Sequence, residues 1–243
     1  MNWQAWASIL LMLVSVVTMA RGLAGPGLLA HVIVCKYVDH LPLYRQSAIF
    51  AREGIDLDRS TLADWVGGVS ALLDPLIEAI GRHVLAAQKL HDDDTPVPVL
   101  SPGQGSTKTG RLWTYVRDDR PAGSDEPPAV LFRYSPDRKG ERPCAHLATF
   151  RGLLQADGYS GFNGLYDRAN EPLTEVACWA HVRHKFYDLT LSKTSPLAQE
   201  ALTRIGALYA IEAEIRGRPS VERAAVRQLR AGPHLEALHV WLT

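Results

Sequence analysis

Cysteine is scarce: Cys35, Cys144 and Cys178 are the three in 243 residues. An odd, scattered set supplies no disulfide framework, so a reducing, cytosolic compartment is the default expectation. Net charge is also absent, with 26 basic against 26 acidic side chains. Bulk charge therefore argues neither for nor against nucleic acid, and only local clusters can speak. There are no internal repeats. A full-length apolar run is missing too. "WASILLMLVSVVTMA" (Trp6–Ala20) carries no charge, but its 15 residues fall short of the roughly 20 that a bilayer core needs. No Lys or Arg precedes it, as a signal peptide would require. Residues 1–21 are set aside as an apolar segment unrelated to the rest, and membrane attachment through it stays open as an alternative.

What is present begins after a Gly/Pro hinge, "GLAGPGLL" (Gly22–Leu29). From there to residue 88 apolar residues recur at three and four: Leu43, Ser47 and Phe50; Leu62, Trp65, Val66 and Val69; Leu73, Leu76, Ile77 and Ile80. That is helical spacing. Gly54 is expected to stop one helix and Ser60 to cap the next, giving either a helix-turn-helix or an ordinary helical hairpin. From Lys89 the period changes. "VPVL", "RLWTYVRDD" and "AVLFRYS" alternate, are rich in β-formers and are separated by turn residues, which predicts an antiparallel three-stranded meander. "GERPCAHLATFRG" reads as a short helix. "LLQADGYSGFN" reads as a buried strand ending at an acid, and Leu173–Cys178 as a second one, running into a helix from about Ala180. The chain is helical to Thr243, broken at "RGRPS" (Arg216–Ser220). Three meander strands followed by helix-separated strands predict an α/β protein with an RNase H-like mixed sheet. The expected divisions are a helical region over 22–88, a catalytic core over 89–190 and a helical insertion over 191–243.

"LHDDDTPVPVL" (Leu90–Leu100) places three aspartates at the first strand, and Asp157 closes the fourth. In an RNase H-like sheet these strands are neighbours, so Asp93 and Asp157 would face each other. Two close carboxylates repel unless a cation neutralises them. Mg²⁺ or Mn²⁺ suits such a shallow, hard-oxygen site beside a phosphate, and two ions would serve phosphodiester cleavage and strand transfer. On spacing alone, aspartates at strand ends are equally turn formers, and "DDD" reads equally as a solvated turn.

Four motifs taken together go further. The stretch from Gly22 to Gly67, "LHDDDTPVPVL", "LQADGYSGFN" and "EVACWAHVRHKFYD" resemble, in that order, the large transposase subunit of the IS66 family of bacterial insertion sequences. The resemblance runs from about Gly22 to the C-terminus. It implies a DDE transposase: an RNase H-like core, two Mg²⁺ ions, and cutting and joining at the element's ends. It also implies DNA as partner, a homo-oligomer, accessory proteins encoded by the element, and a cytoplasmic, nucleoid-associated location. The family's "HADET"-like motif reads "HDDDT" here, so the first acid matches Asp93, with Asp94 where the family usually has Glu. The second acid, in "DGY", matches Asp157. The family's "CWAH" and the basic residues after it match Cys178, Trp179, Ala180 and His181, then Arg183, His184 and Lys185 near DNA phosphates, His184 standing for a usual arginine. The third carboxylate, a glutamate on a helix well beyond "CWAH", finds no match. Glu212 and Glu214 come too early. The expectation is therefore a chain interrupted before its third acid, with little or no catalysis alone.

Two further constellations and two rival functions stay in view. Cys178, His181 and His184, three apart, are types that zinc takes, though a fourth ligand is not evident. Arg216, Arg218, Arg223, Arg227 and Arg230 recur at helical spacing, as either a phosphate-tracking stripe or a solvated helix face. Trp113 and Tyr115 alternate on a strand, as core or cross-strand packing. Helix faces bearing Leu202, Ile205, Leu208 and Tyr209 are expected to lack partners. The rival functions are a non-catalytic DNA-binding or regulatory remnant of a transposase, and a membrane-tethered protein of unrelated role.

Overall fold

The computed structural model describes residues 24–101, 103, 105–170, 173–192 and 195–243; Trp6–Ala20 lies outside them. Its contacts divide the chain into two compact units, Met1–Ala79 and Ile80–Thr243. In the first, Pro26 opens α1 (Pro26–Tyr37), where its fixed φ and missing N–H cost nothing. Helices α2 (Leu43–Arg52) and α3 (Arg59–Leu72) follow. Their apolar stripes meet as expected: Val32, Phe50 and Leu62 are buried together, as are Leu29 and Val69, with Trp65 between the two groups. Buried Gln46 donates from Nε2 to the carbonyls of Val32 and Leu41 at 3.2 and 3.0 Å, which satisfies its amide N–H groups, while its Oε1 is buried without a partner among the described residues. Gly54 takes φ +80° just past α2, the left-handed turn that only glycine adopts cheaply. The cap of α3 differs from expectation. The helix starts at Arg59, so Asp58 is the N-cap, and its side chain makes no capping bond.

Helix α4 (Asp74–Leu85) leads into β1 (Lys89–Leu100), β2 (Thr107–Arg117) and β3 (Ala129–Ser135). Then come α5 (Glu141–His146), β4 (Leu153–Ala156), α6 (Asn163–Tyr166), β5 (Thr174–Ala177), α7 (Trp179–Ser192), α8 (Pro196–Ile215), α9 (Ser220–Val226) and α10 (Gly232–Leu242). The strands form one sheet in the order β3-β2-β1-β4-β5. β1–β2 and β2–β3 are antiparallel; β1–β4 and β4–β5 are parallel. This is an α/β mixed sheet consistent with an RNase H-like fold, and β1 and β4 are neighbours.

β1 is longer than "VPVL" suggested: "HDDDT" lies inside the strand and not in a turn before it. The pairing with β4 covers only Lys89 to His91, whereas that with β2 runs to Leu100. Past His91, β1 therefore has an unpaired edge on the β4 side. Pro96 and Pro98, which lack an N–H, are tolerated there for that reason. One sheet face is buried: Leu90, Trp113, Tyr115, Leu131 and Leu154 pack against Val84, Leu147, Phe150, Phe162 and Leu165. Each such side chain contributes roughly 1.5–3 kcal/mol of hydrophobic stabilisation. Trp113 and Tyr115 are fully buried, so the strand alternation places them in the core. In the C-terminal helices Ser195 caps α8, its Oγ accepting from the Ala198 N–H. The face of α8 is covered in part, with Tyr209 exposed and Leu202 and Leu208 half-buried. Ile205 is buried, α10 returns against α8, and the Arg204 guanidinium lies over Trp241 at 5.2 Å.

Candidate metal and nucleic-acid site at the end of strand β4

The site grows from two strands of unequal length. β4 stops at Ala156 while β1 continues, so Asp157 leaves the sheet beside the three aspartates of β1. Period-two alternation sends the three to different faces. Leu90, Asp92 and Asp94 share the core side, and Asp92 and Asp94 stand opposite Tyr115 and Trp113 of β2. Asp93 lies between them and is exposed; its Oδ1 accepts the Asp94 N–H at 2.9 Å.

Asp92 is 5% exposed, and neither carboxyl oxygen has a hydrogen-bond partner of normal geometry. Burial pushes its pKa up to about 8, helped by the charges of Asp94, Asp93 and Asp157 and weakly opposed by the Asp93 backbone N–H. The group is therefore mostly protonated at neutral pH. Nearby, burial also raises the Tyr115 and Tyr166 hydroxyls and lowers the His146 imidazole. Tyr115 and His146 meet at 2.9 Å, Oη to Nδ1.

Asp94 is compensated. Its side chain is only 3% exposed and lies between two arginines, Arg111 Nη1 at 2.9 Å from Oδ2 and Arg138 Nη2 at 2.6 Å from Oδ1. The same Arg138 nitrogen is 3.2 Å from Asp157 Oδ2, while Asp157 Oδ1 accepts the Tyr159 N–H at 3.1 Å. Arg138 thus bridges an acid of β1 and the acid that follows β4. It is itself held: its guanidinium lies 4.1 Å from the Tyr159 ring centroid, and the Tyr159 hydroxyl donates to its carbonyl. Glycine makes this possible. A Cβ on Gly140 would sit 2.6 Å from the Gly161 carbonyl oxygen, so the Arg138 loop can approach the turn after Asp157 only without a side chain there. Neither Arg111 nor Arg138 was singled out from the sequence. An arginine in "SPDRKG" looks like any solvated turn charge, and only the fold shows its partners.

Helix α7 brings the basic residues. Arg183, His184 and Lys185 are all exposed. A Cβ on Gly158 would lie 3.3 Å from Lys185 Nζ, so this ammonium reaches the turn beside Asp157. His184 Nε2 is 3.5 Å from Asp188. Cys178 is a half-buried free thiol, Trp179 is exposed, and His181 Nδ1 is buried without a partner. Among the described residues no three His, Cys, Asp or Glu side chains are grouped to hold a metal ion. The arginine stripe is largely engaged within the protein. Arg227 and Arg230 grip Glu212 and Glu214 at 2.6 and 2.5 Å, and Arg223 donates to the Pro121 carbonyl.

The sheet places the protein in the α/β class, consistent with an RNase H-like fold. Residues 21–243 match the transposase IS66 family, and the chain belongs to it. It is 45% identical over 237 residues to uncharacterized protein y4hP of Sinorhizobium fredii, covering 92% of this chain and 43% of that protein. It is 39% identical over 222 residues to uncharacterized protein y4qI of the same organism, covering 89% and 41%. The chain thus spans less than half the length of these relatives. The family is one of transposases. Among the described residues no helix is long and apolar enough to cross a membrane.

Proposed function

We propose that this chain carries the first two carboxylates of a DDE transposase core, Asp93 and Asp157, and holds DNA against them with Arg183, His184 and Lys185 of α7. The observation that carries the reading is the link from Asp157 through Arg138 to Asp94, beside Asp93 in the strand, with Lys185 Nζ beside the Asp157–Gly158 turn. The donor set fits a hard divalent cation. It consists of carboxylate oxygens, the hard donors that such an ion prefers. Asp93 and Asp157 would hold Mg²⁺ or Mn²⁺, which when bound supplies charge neutralisation and activation for phosphodiester cleavage and joining. The protein's own residues do the rest. The long β1 fixes Asp93, the Tyr159 N–H orients Asp157, and exposed α7 cations meet the phosphate backbone without reading sequence. The third carboxylate is assigned to none of the described residues, since Glu212 and Glu214 are held by arginines.

The test is duplex-DNA binding by fluorescence anisotropy across salt and Mn²⁺ concentrations. The expected result is salt-sensitive binding that Mn²⁺ strengthens, with the strengthening lost in Asp157→Asn and Asp93→Asn. Changing Arg183 and Lys185 to Ala should weaken binding to all sequences and reduce the salt slope by about one per cation removed. Binding indifferent to salt, to Mn²⁺ and to these changes would overturn the reading.

A further inference from the structure

Arg138 belongs to no motif of the sequence, yet it makes the closest polar contacts at the acid site. Its guanidinium holds Asp94 Oδ1 through Nε at 2.9 Å and Nη2 at 2.6 Å, and Asp157 Oδ2 through Nη2 at 3.2 Å. The other Asp157 oxygen is committed to the Tyr159 N–H. Each Asp157 oxygen keeps lone-pair capacity for a divalent ion, and an ion on either one meets the positive charge of Arg138. The arginine is not a loose surface charge. It is fixed from above by the Tyr159 ring, from behind by the Tyr159 hydroxyl on its carbonyl, and by the Gly140–Gly161 approach that positions its loop. Planar, delocalised and weakly hydrated, a guanidinium is the side chain best suited to bridge two carboxylates.

We propose that Arg138 is the built-in cation of the acid site, a positioning residue that holds Asp157 to Asp94 and whose charge competes with a divalent ion for the Asp157 carboxylate. This rests on the reading of Asp157 as a metal ligand. The competition is one of charge: a bound ion and the guanidinium would share the Asp157 carboxylate, while Nε–H holds Asp94 Oδ1. No covalent bond changes. Two cations beside one carboxylate repel, so removing the guanidinium raises the metal affinity.

The experiment is calorimetric titration of Mn²⁺ into chelator-stripped wild type, Arg138→Gln and Arg138→Lys, each confirmed folded by circular dichroism. Arg138→Gln should bind Mn²⁺ at least about fivefold more tightly than wild type. Arg138→Lys keeps the charge but lacks the fork that spans both acids, so it should fall between the two. If Arg138→Gln does not fold, the lysine variant decides alone. Equal or weaker binding in the folded variants overturns the proposal, since an arginine that only supports the fold would lose metal affinity when removed. If wild type and both variants all fail to bind Mn²⁺, the proposal falls together with the metal reading. If wild type binds and the variants are not tighter, only the role of Arg138 falls.

Discussion

The molecule holds two clusters of arginine and carboxylate that differ in little except where they sit. At the sheet, Arg111 and Arg138 surround Asp94, whose side chain is 3% exposed. On the C-terminal helices, Arg227 and Arg230 pair with Glu212 and Glu214, with every side chain between 42% and 52% exposed. The helical pairs have comparable or shorter distances, yet water solvates and screens them. They lower both glutamate pKa values and stabilise little. At the sheet Asp94 cannot fall back on water, so it depends on its two arginines, and buried Asp92, which has no such partner, stays protonated. The difference teaches that short ion pairs do not mark a site. Desolvation does, because it turns charge neutralisation into a requirement that a metal or an arginine must meet.

The largest effect should come from taking one partner from the buried cluster. Asp94→Asn leaves Arg111 and Arg138 without their shared acid, and chemical denaturation should register a loss of roughly 2–4 kcal/mol, below the full buried-pair figure because both arginines are partly exposed. A smaller loss, at the level of a surface pair, would put the two clusters on one footing. Next in size is a pH effect. The folded pKa of Asp92, about 8, lies above its unfolded value near 4. Between those limits the folded state holds a proton that the unfolded state releases. Stability from this group is therefore full below pH 4 and lost as pH rises towards 8, at up to about 1.4 kcal/mol per pH unit. Melting curves in chelator from pH 5 to 8.5 should show that fall in wild type and not in Asp92→Asn. Parallel curves would mean that Asp92 reaches solvent.

Gly140→Ala should cost roughly 1–3 kcal/mol by pressing a methyl onto the Gly161 carbonyl, and should loosen Arg138 from Asp157. A neutral result by thermal melting would show that the loop yields. The smallest effect is on the helices: Glu212→Gln should change stability by less than about 1 kcal/mol, and added salt should remove what difference there is.

Much of this was legible in the sequence. The helical stripes through Phe50, Leu62 and Val69, the meander of β1 to β3 and the strand closing at Asp157 follow from period and turn residues. The segment order already pointed to an RNase H-like sheet with the first and fourth strands side by side, as found. The true extent of β1 was hidden because aspartate and proline are poor strand formers, and only the unpaired edge past His91 explains their place. Spacing could not show that neighbouring aspartates would part so sharply, with Asp92 buried and unpartnered, Asp93 exposed and Asp94 between two arginines. Arg138 left no signal and Tyr159 only its place in "DGY", since their role exists only once the loop after β3 meets the turn after β4. The arginines of the last helices gave a false one, because their glutamate partners lie 15 and 16 residues away.

The most direct test of the central claim is Mn²⁺ binding followed by electron paramagnetic resonance in chelator-stripped wild type, Asp93→Asn and Asp157→Asn. The account predicts that wild type takes up Mn²⁺ and that each variant weakens binding by at least about tenfold. Binding unchanged in both variants, or no binding by the wild type, would contradict it.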